Sequence, residues 1–151
     1  MKHQAIRIAL VVIEALIGLG AIGGGIAILT GVFDQWFPIA WLQGTPFSDY
    51  TIPGLILLIV IGGGMLLAAA TVFIEREWAV LLSAAMGLIM IGFEVFEVVI
   101  IDRYADAIIP GTLMQQALMS GLGLVVFALA SYLWMSEYRE HHFPTSPVSH
   151  A

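Results

Sequence analysis

The stretch Ile8 to Thr30, IALVVIEALIGLGAIGGGIAILT, decides the fold of this chain. It carries one ionisable residue, Glu14. At about 1.5 Å of rise per residue it is long enough to cross a hydrocarbon core about 30 Å thick. Three stretches of the same kind follow, at about 53–74, 78–101 and 112–135. All four run to about 22 residues or more and are apolar nearly all round, whereas a soluble bundle would show polar stripes at helical period. The expected fold is all-α: an integral membrane bundle of four transmembrane helices with short loops and one longer outer loop.

Composition points the same way. The 151 residues are 60% hydrophobic and 11% charged with a mean hydropathy of +1.00, against about 25% charged in ordinary soluble domains. The bilayer is therefore the first expected partner. The net charge of −6 comes from singly scattered acids, and the five basic residues form no patch, so nucleic acid is not a partner. Without cysteine there are no disulfides, thiolate metal sites or thiol nucleophiles. Lys2 and Arg7 ahead of an apolar run resemble the start of a signal peptide. The run is about twice a usual h-region and lacks an A-x-A-type site, so it reads as an uncleaved first span. The chain divides into a transmembrane domain, 1–136, and a flexible cytoplasmic tail, 137–151.

Lys2, Arg7, Arg76 and Arg139 fall on one side of this arrangement and only Arg103 on the other, which places both termini in the cytoplasm. Aromatic residues mark both edges: Trp36, Trp41, Tyr50 and Tyr104 outside, Trp78, Tyr132, Trp134 and Tyr138 inside. The Glu75-Arg76-Glu77 turn makes the second and third spans antiparallel neighbours. The outer segment from Phe33 to Leu42 is aromatic enough to lie along the membrane surface. From Gly44 to Gly54 the chain has turn chemistry, with Ser48, Asp49 and Thr51 placed to brace the next helix and Pro53 suited to its first turn. Two readings of the loop stand: a brace holding spans one and two together, and a lid over a ligand.

Gly18, Gly20 and Gly23 spell G-x-G-x-x-G, but with no preceding strand they cannot present amides to a pyrophosphate. In a membrane helix small residues let backbones approach, and Gly20, Gly24 and Gly25 in span one and Gly62, Gly63 and Gly64 in span two are the expected packing positions. The similar company of the two glycine runs raises a remote internal repeat between spans one and two.

Glu14, Glu94 and Glu97, with Gln116, form the candidate intramembrane polar site. A carboxylate at mid-helix costs on the order of 3 kcal/mol by insertion scales and normally faces the protein interior. Glu14, Gly18, Ala21 and Gly25 share one face at helical spacing. Glu94 and Glu97 are three residues apart toward the outer end of span three, near Gln115, Gln116 and Ser120 of span four, with Arg103 in reach. Two such carboxylates do not both ionise readily. Glu14 is separate by depth. One reading makes these acids a foothold for a proton or cation. In the other, Glu97 reaches the headgroups, Glu94 bonds Gln116 and Glu14 ties its helix to a neighbour.

His141, His142 and His150 with Glu137 and Glu140 suggest a solvated tail, and no metal or cofactor is expected. No H-E-x-x-H, G-x-S-x-G or Walker A sequence occurs. The Glu14-to-Gly25 helix, the Gly44-to-Gly54 turn with its Pro46-Phe47-Ser48-Asp49-Tyr50 core, and the Gly62-Gly63-Gly64 helix resemble those of small uncharacterised bacterial four-helix integral membrane proteins. The hairpin from Gly62 to Met90 is similar to that of DoxX-like proteins, some of them subunits of quinone-linked oxidoreductases, although the His-Gly pair usual in their first helix is missing here. The resemblance implies a bacterial plasma (inner) membrane protein. Three functions follow in order: a non-enzymatic structural or accessory subunit packing with itself as a homo-oligomer or with a larger membrane-protein complex; a proton- or cation-linked transporter or channel; and a quinone-linked redox component.

Overall fold

The computed structural model describes residues 3–75, 77–99 and 112–138. Among them all regular structure is helical, and four helices are long and apolar enough to cross a membrane, as in a multi-pass membrane protein. We label them α1 (Gln4–Leu29), α2 (Thr51–Phe73), α3 (Glu77–Glu97) and α4 (Thr112–Leu133). Helix α2 has a π-helical middle, Ile56–Gly63, and α4 runs on as a π-helical turn, Trp134–Tyr138. Glu137, assigned to the tail from sequence, thus belongs to the bundle. Residues 100–111, which include Arg103 and Tyr104, and 139–151, which include the tail histidines and Glu140, lie outside the described residues.

Each helix packs on the next and α4 returns to α1, giving a ring of four antiparallel neighbours. Lipid offers apolar side chains as good a solvent as the protein interior, so such a ring is held by close packing rather than by expulsion of water. Glycine provides the closest approaches. A Cβ on Gly18 would stand 3.1 Å from the Gly62 carbonyl oxygen and one on Gly62 would stand 3.2 Å from the Gly18 oxygen. In α3 and α4 the reciprocal distances at Gly87 and Gly123 are 2.7 and 2.9 Å. Both pairs meet backbone to backbone, where Cα–H groups can lie against carbonyls.

The end of the bundle that carries the chain termini, called here the terminal end, is solid. Leu10 of α1, Met65 and Val72 of α2, Val80 of α3 and Val126 and Leu133 of α4 are fully buried there. Arg7 forms an ion pair with Glu137, and the His3 and Tyr132 rings meet edge-on at 5.6 Å, closing α1 on α4.

The far end carries the 31–50 connection. Helix α1 stops where Thr30 and Gly31 turn their amides back to Ile26 and Ile28, and Gly31 takes a φ of +75°, which glycine adopts without strain. The connection then folds on itself through a short 3-10 turn, Ile39–Leu42. Trp36 and Ile39 stay exposed, in keeping with a segment that lies along a membrane surface. Asp49 Oδ1 accepts the Thr51 amide at 2.8 Å and starts α2, the brace expected from sequence. That bond holds the Asp49 carboxyl below the usual carboxylate range.

Candidate functional site

Beneath the connection the four helices enclose a cavity of about 440 Å³, within the range of about 300–1,000 Å³ that small-molecule sites occupy. Its walls are built from every element. Helix α1 gives Ile17, Gly20, Ala21 and Gly24, and the π-helical part of α2 gives Leu57 and Ile61. The wider π turn carries an extra residue, so it shifts the face that follows; such segments recur at functional sites. Helix α3 contributes Met90, Phe93, Glu94 and Glu97, and α4 contributes Gln115, Gln116, Met119 and Leu122. The roof is aromatic: Phe33, Phe37, Trp41 and Tyr50. Phe37 is its hub, with ring centroids 6.0 to 6.1 Å from those of Phe33, Trp41 and Tyr50. The Tyr50 hydroxyl donates to the Pro38 carbonyl at 3.3 Å, and Phe47 reaches across to Phe96 of α3 at 5.8 Å. Burial, with a smaller contribution from the nearby Glu97 charge, pushes the Tyr50 phenol up to about 12.

The polar groups lie on one side. Glu94 and Gln116 are each 7% exposed, and Glu94 Oε2 has no hydrogen-bond partner. Glu97 is half-buried beside the roof, and Gln115 stands at the exposed rim. The cluster read from sequence in spans three and four is thus brought to one cavity, except Ser120, which is not part of its wall. Toward the solid end it closes on Ile17, Ile61 and Met90, all nearly fully buried, with Ile13 and Leu16 of α1 as its last wall residues. Among the described residues the cavity is therefore blind.

Glu14 is not in its wall. It is fully buried on the face shared with Gly18, Ala21 and Gly25, as the spacing predicts, and the polar side chain facing it is Ser83 of α3, also fully buried. The Glu14 oxygens and the Ser83 hydroxyl face each other without a hydrogen bond of full geometry, and Ser83 is the group on the neighbouring helix within reach of the acid. Glu94 lies eleven residues beyond Ser83, which is about 16 Å along the helix.

The glycine positions sort unevenly. Gly25 and Gly62 are at the α1–α2 contact, and Gly64 abuts Met86 of α3. Gly24 makes only an ordinary contact with Leu57, 3.4 Å from where its Cβ would be, while Gly20 and Gly63 have nothing within 4 Å. Gly20 borders the cavity instead, and Gly63 faces outward. The contacts that sequence reading did not single out are Gly54, which meets Gly25, and the Gly87–Gly123 crossing. Each of the last two spans carries two glycines, Gly87 and Gly92 in one and Gly121 and Gly123 in the other, and only Gly87 and Gly123 make the contact.

No family model matches the chain, and no curated protein or solved structure does so. Geometry and chemistry therefore carry the functional reading.

Proposed function

We propose that this protein is a non-catalytic membrane protein that holds a lipid-soluble small molecule in the cavity beneath the 31–50 connection. One observation carries the reading: a largely apolar, aromatic-roofed cavity contains a single polar side whose buried Glu94 oxygen lacks a partner. Convergent polar groups in an otherwise apolar concavity are what fixes the orientation of a bound ligand. The blind floor favours holding over conduction of protons or cations. No serine, cysteine, lysine or histidine is among the described wall residues, which favours binding over catalysis. A quinone-class molecule is one occupant of suitable chemistry. The distribution of Lys2, Arg7, Arg76 and Arg139 against Arg103 supports cytoplasmic termini, and the likeness to bacterial four-helix proteins supports a plasma-membrane location.

A second reading, a structural or accessory subunit packing with itself or a larger complex, draws on Gly23 and Gly63. Both lie on open faces with nothing within 4 Å, where another helix has room to approach. The two readings are compatible.

The test is extraction of the full chain, purified in mild detergent, with mass spectrometry of what it carries. One neutral lipid-soluble species near stoichiometric amount is expected from the wild type and not from Met119→Trp, which fills the cavity. Identical bulk membrane lipid from both would reject the reading.

A further inference from the structure

We propose that the occupant is a single-chain amphiphile taken from the bilayer itself, its neutral oxygen-bearing head against Glu94 and its chain leaving sideways through a seam between α1 and α4. This rests on the cavity being a binding site, as argued above. Three sides of the ring are joined through glycine: α1 to α2 at Gly18 and Gly62, α2 to α3 at Gly64 against Met86, and α3 to α4 at Gly87 and Gly123. The fourth side is different. Helices α1 and α4 touch least, and their polar and ring contacts, Arg7 with Glu137 and His3 with Tyr132, are at the terminal end. Farther along, both helices contribute walls of the cavity: Leu16, Gly20 and Gly24 on α1, and Gln115, Met119 and Leu122 on α4.

Two features make this seam an opening. A Cβ on Gly20 would meet nothing within 4 Å, so α1 offers no side chain there to close the gap. Leu16 at the rim is 67% exposed, and along helices this apolar its surroundings are hydrocarbon. An opening at that depth admits molecules dissolved in lipid. Inside, the polar side sets the head chemistry. A buried oxygen without a partner is costly, and a hydroxyl on the ligand offsets that cost. The described wall offers carboxyls and amides and no lysine or arginine to pair with a phosphate, so the head is neutral and a phospholipid is disfavoured.

The test uses the full chain in phosphatidylcholine vesicles and hexadecanol bearing a mid-chain diazirine, with photolabelled residues mapped by mass spectrometry. Label is expected on Met90, Met119 and Leu122, displaced by unlabelled hexadecanol. Gly20→Phe should lower labelling of Met90 about tenfold or more, and Glu94→Leu should do the same by removing the partner of the head. Gly23→Phe, on an open face of α1 outside the cavity, should leave it unchanged and shows that the helix tolerates the side chain. Undiminished, competable labelling of Met90 in Gly20→Phe overturns the seam while leaving the binding site standing. Undiminished labelling in Glu94→Leu overturns the placement of the head. If the wild-type cavity labels no more than outward-facing Leu19 and Leu67, with this probe and with a diazirine hexanol alike, the binding site itself is refuted.

Discussion

The two antiparallel helix pairs, α1–α2 and α3–α4, are locked alike at mid-span and differ two turns farther on. Gly18 against Gly62 and Gly87 against Gly123 make the same reciprocal backbone contact. Seven residues toward the 31–50 connection, the first pair meets again at Gly25, where a Cβ would be 2.9 Å from the Gly54 carbonyl oxygen. At the same step in the second pair stand Glu94 and Gln116. Gly54 is eight rather than seven residues from Gly62 because the π turn between them takes one residue more. Four residues to the other side of the lock the pattern inverts: Glu14 precedes Gly18, and Ser83 precedes Gly87. Each pair therefore carries one buried acid, Glu14 in the first and Glu94 in the second, at opposite ends, and the one on the connection side borders a cavity. Backbone contact closes the first pair along its length, whereas a carboxyl and an amide occupy that position in the second, and the hollow opens beside them.

The largest way to break the likeness is at the lock. Gly87→Leu sets a side chain where the Gly123 oxygen and the Phe127 amide nitrogen already lie 2.7 and 2.8 Å from its Cβ. Backbone cannot rotate aside as a side chain can, so α3 and α4 must separate. The loss should be at least the roughly 1–3 kcal/mol of ordinary overpacking. A thermal melt in detergent reads it. Gly63→Leu, with an open Cβ site, should melt within about 0.5 kcal/mol of the wild type. Equal melting of the two variants would remove the glycine contacts as the basis of pairing.

Next in size is the acid of the solid end. Glu14 is fully buried with neither oxygen in a well-formed bond, a burden of about 1–3 kcal/mol for an unsatisfied polar group. Glu14→Met keeps the length of the side chain and removes the burden, so the melting temperature should rise. A fall would mean that Glu14 has an energetic partner and that the two acids are more alike than their surroundings indicate. Glu94→Met, at the cavity, should instead lose the bound molecule.

Much of this arrangement was legible in sequence because lipid leaves few choices: each long apolar run must satisfy its own backbone as a helix. Glu14 faced inward for the same reason, and the shared spacing of Glu94 with Glu97 and the depth of Gln116 placed the polar cluster. The glycines were read less well. A run such as Gly62-Gly63-Gly64 puts a small residue on three faces at once, and only the neighbouring helix decides which face is used. The repeat suggested between spans one and two followed composition, whereas the reciprocal glycine contact is shared by the two pairs, where Gly87 and Gly123 sit in sequence surroundings unlike those of Gly18 and Gly62. The π segment, which sets the phase of Gly54 and of Leu57, begins without a marker in a run of leucine, isoleucine and valine that ends at Gly62-Gly63.

The join between the pairs at the terminal end gives a smaller effect. Arg7 and Glu137 are partly buried, with side chains 13% and 24% exposed, and hold α1 to α4 where the glycine contacts of the other sides are replaced by charge. Arg7→Gln should cost about 0.5–1 kcal/mol, and a double-mutant cycle with Glu137→Gln should recover most of it as coupling. The loss should shrink in high salt. No coupling would mean that α1 and α4 are held by packing at this end too.

The smallest effect tests whether the connection of the first pair really roofs the acid of the second. Tyr50 belongs to that connection, and its phenol is raised from 10.0 to about 12 by burial first and by the Glu97 charge second. Because the folded value lies above the unfolded one, this contribution to stability is intact below pH 10.0 and disappears as pH rises toward 12. Absorbance near 295 nm, which follows phenolate, should show a step near pH 12 from Tyr50 in the folded protein that moves down on unfolding. Tyr50→Phe should remove that late step and no other. Glu97→Gln should move it part of the way down, because the charge goes while the burial stays. A late step unmoved by Glu97→Gln would mean that the roof sits farther from α3 than the cavity requires, and the two pairs would then meet only at the solid end.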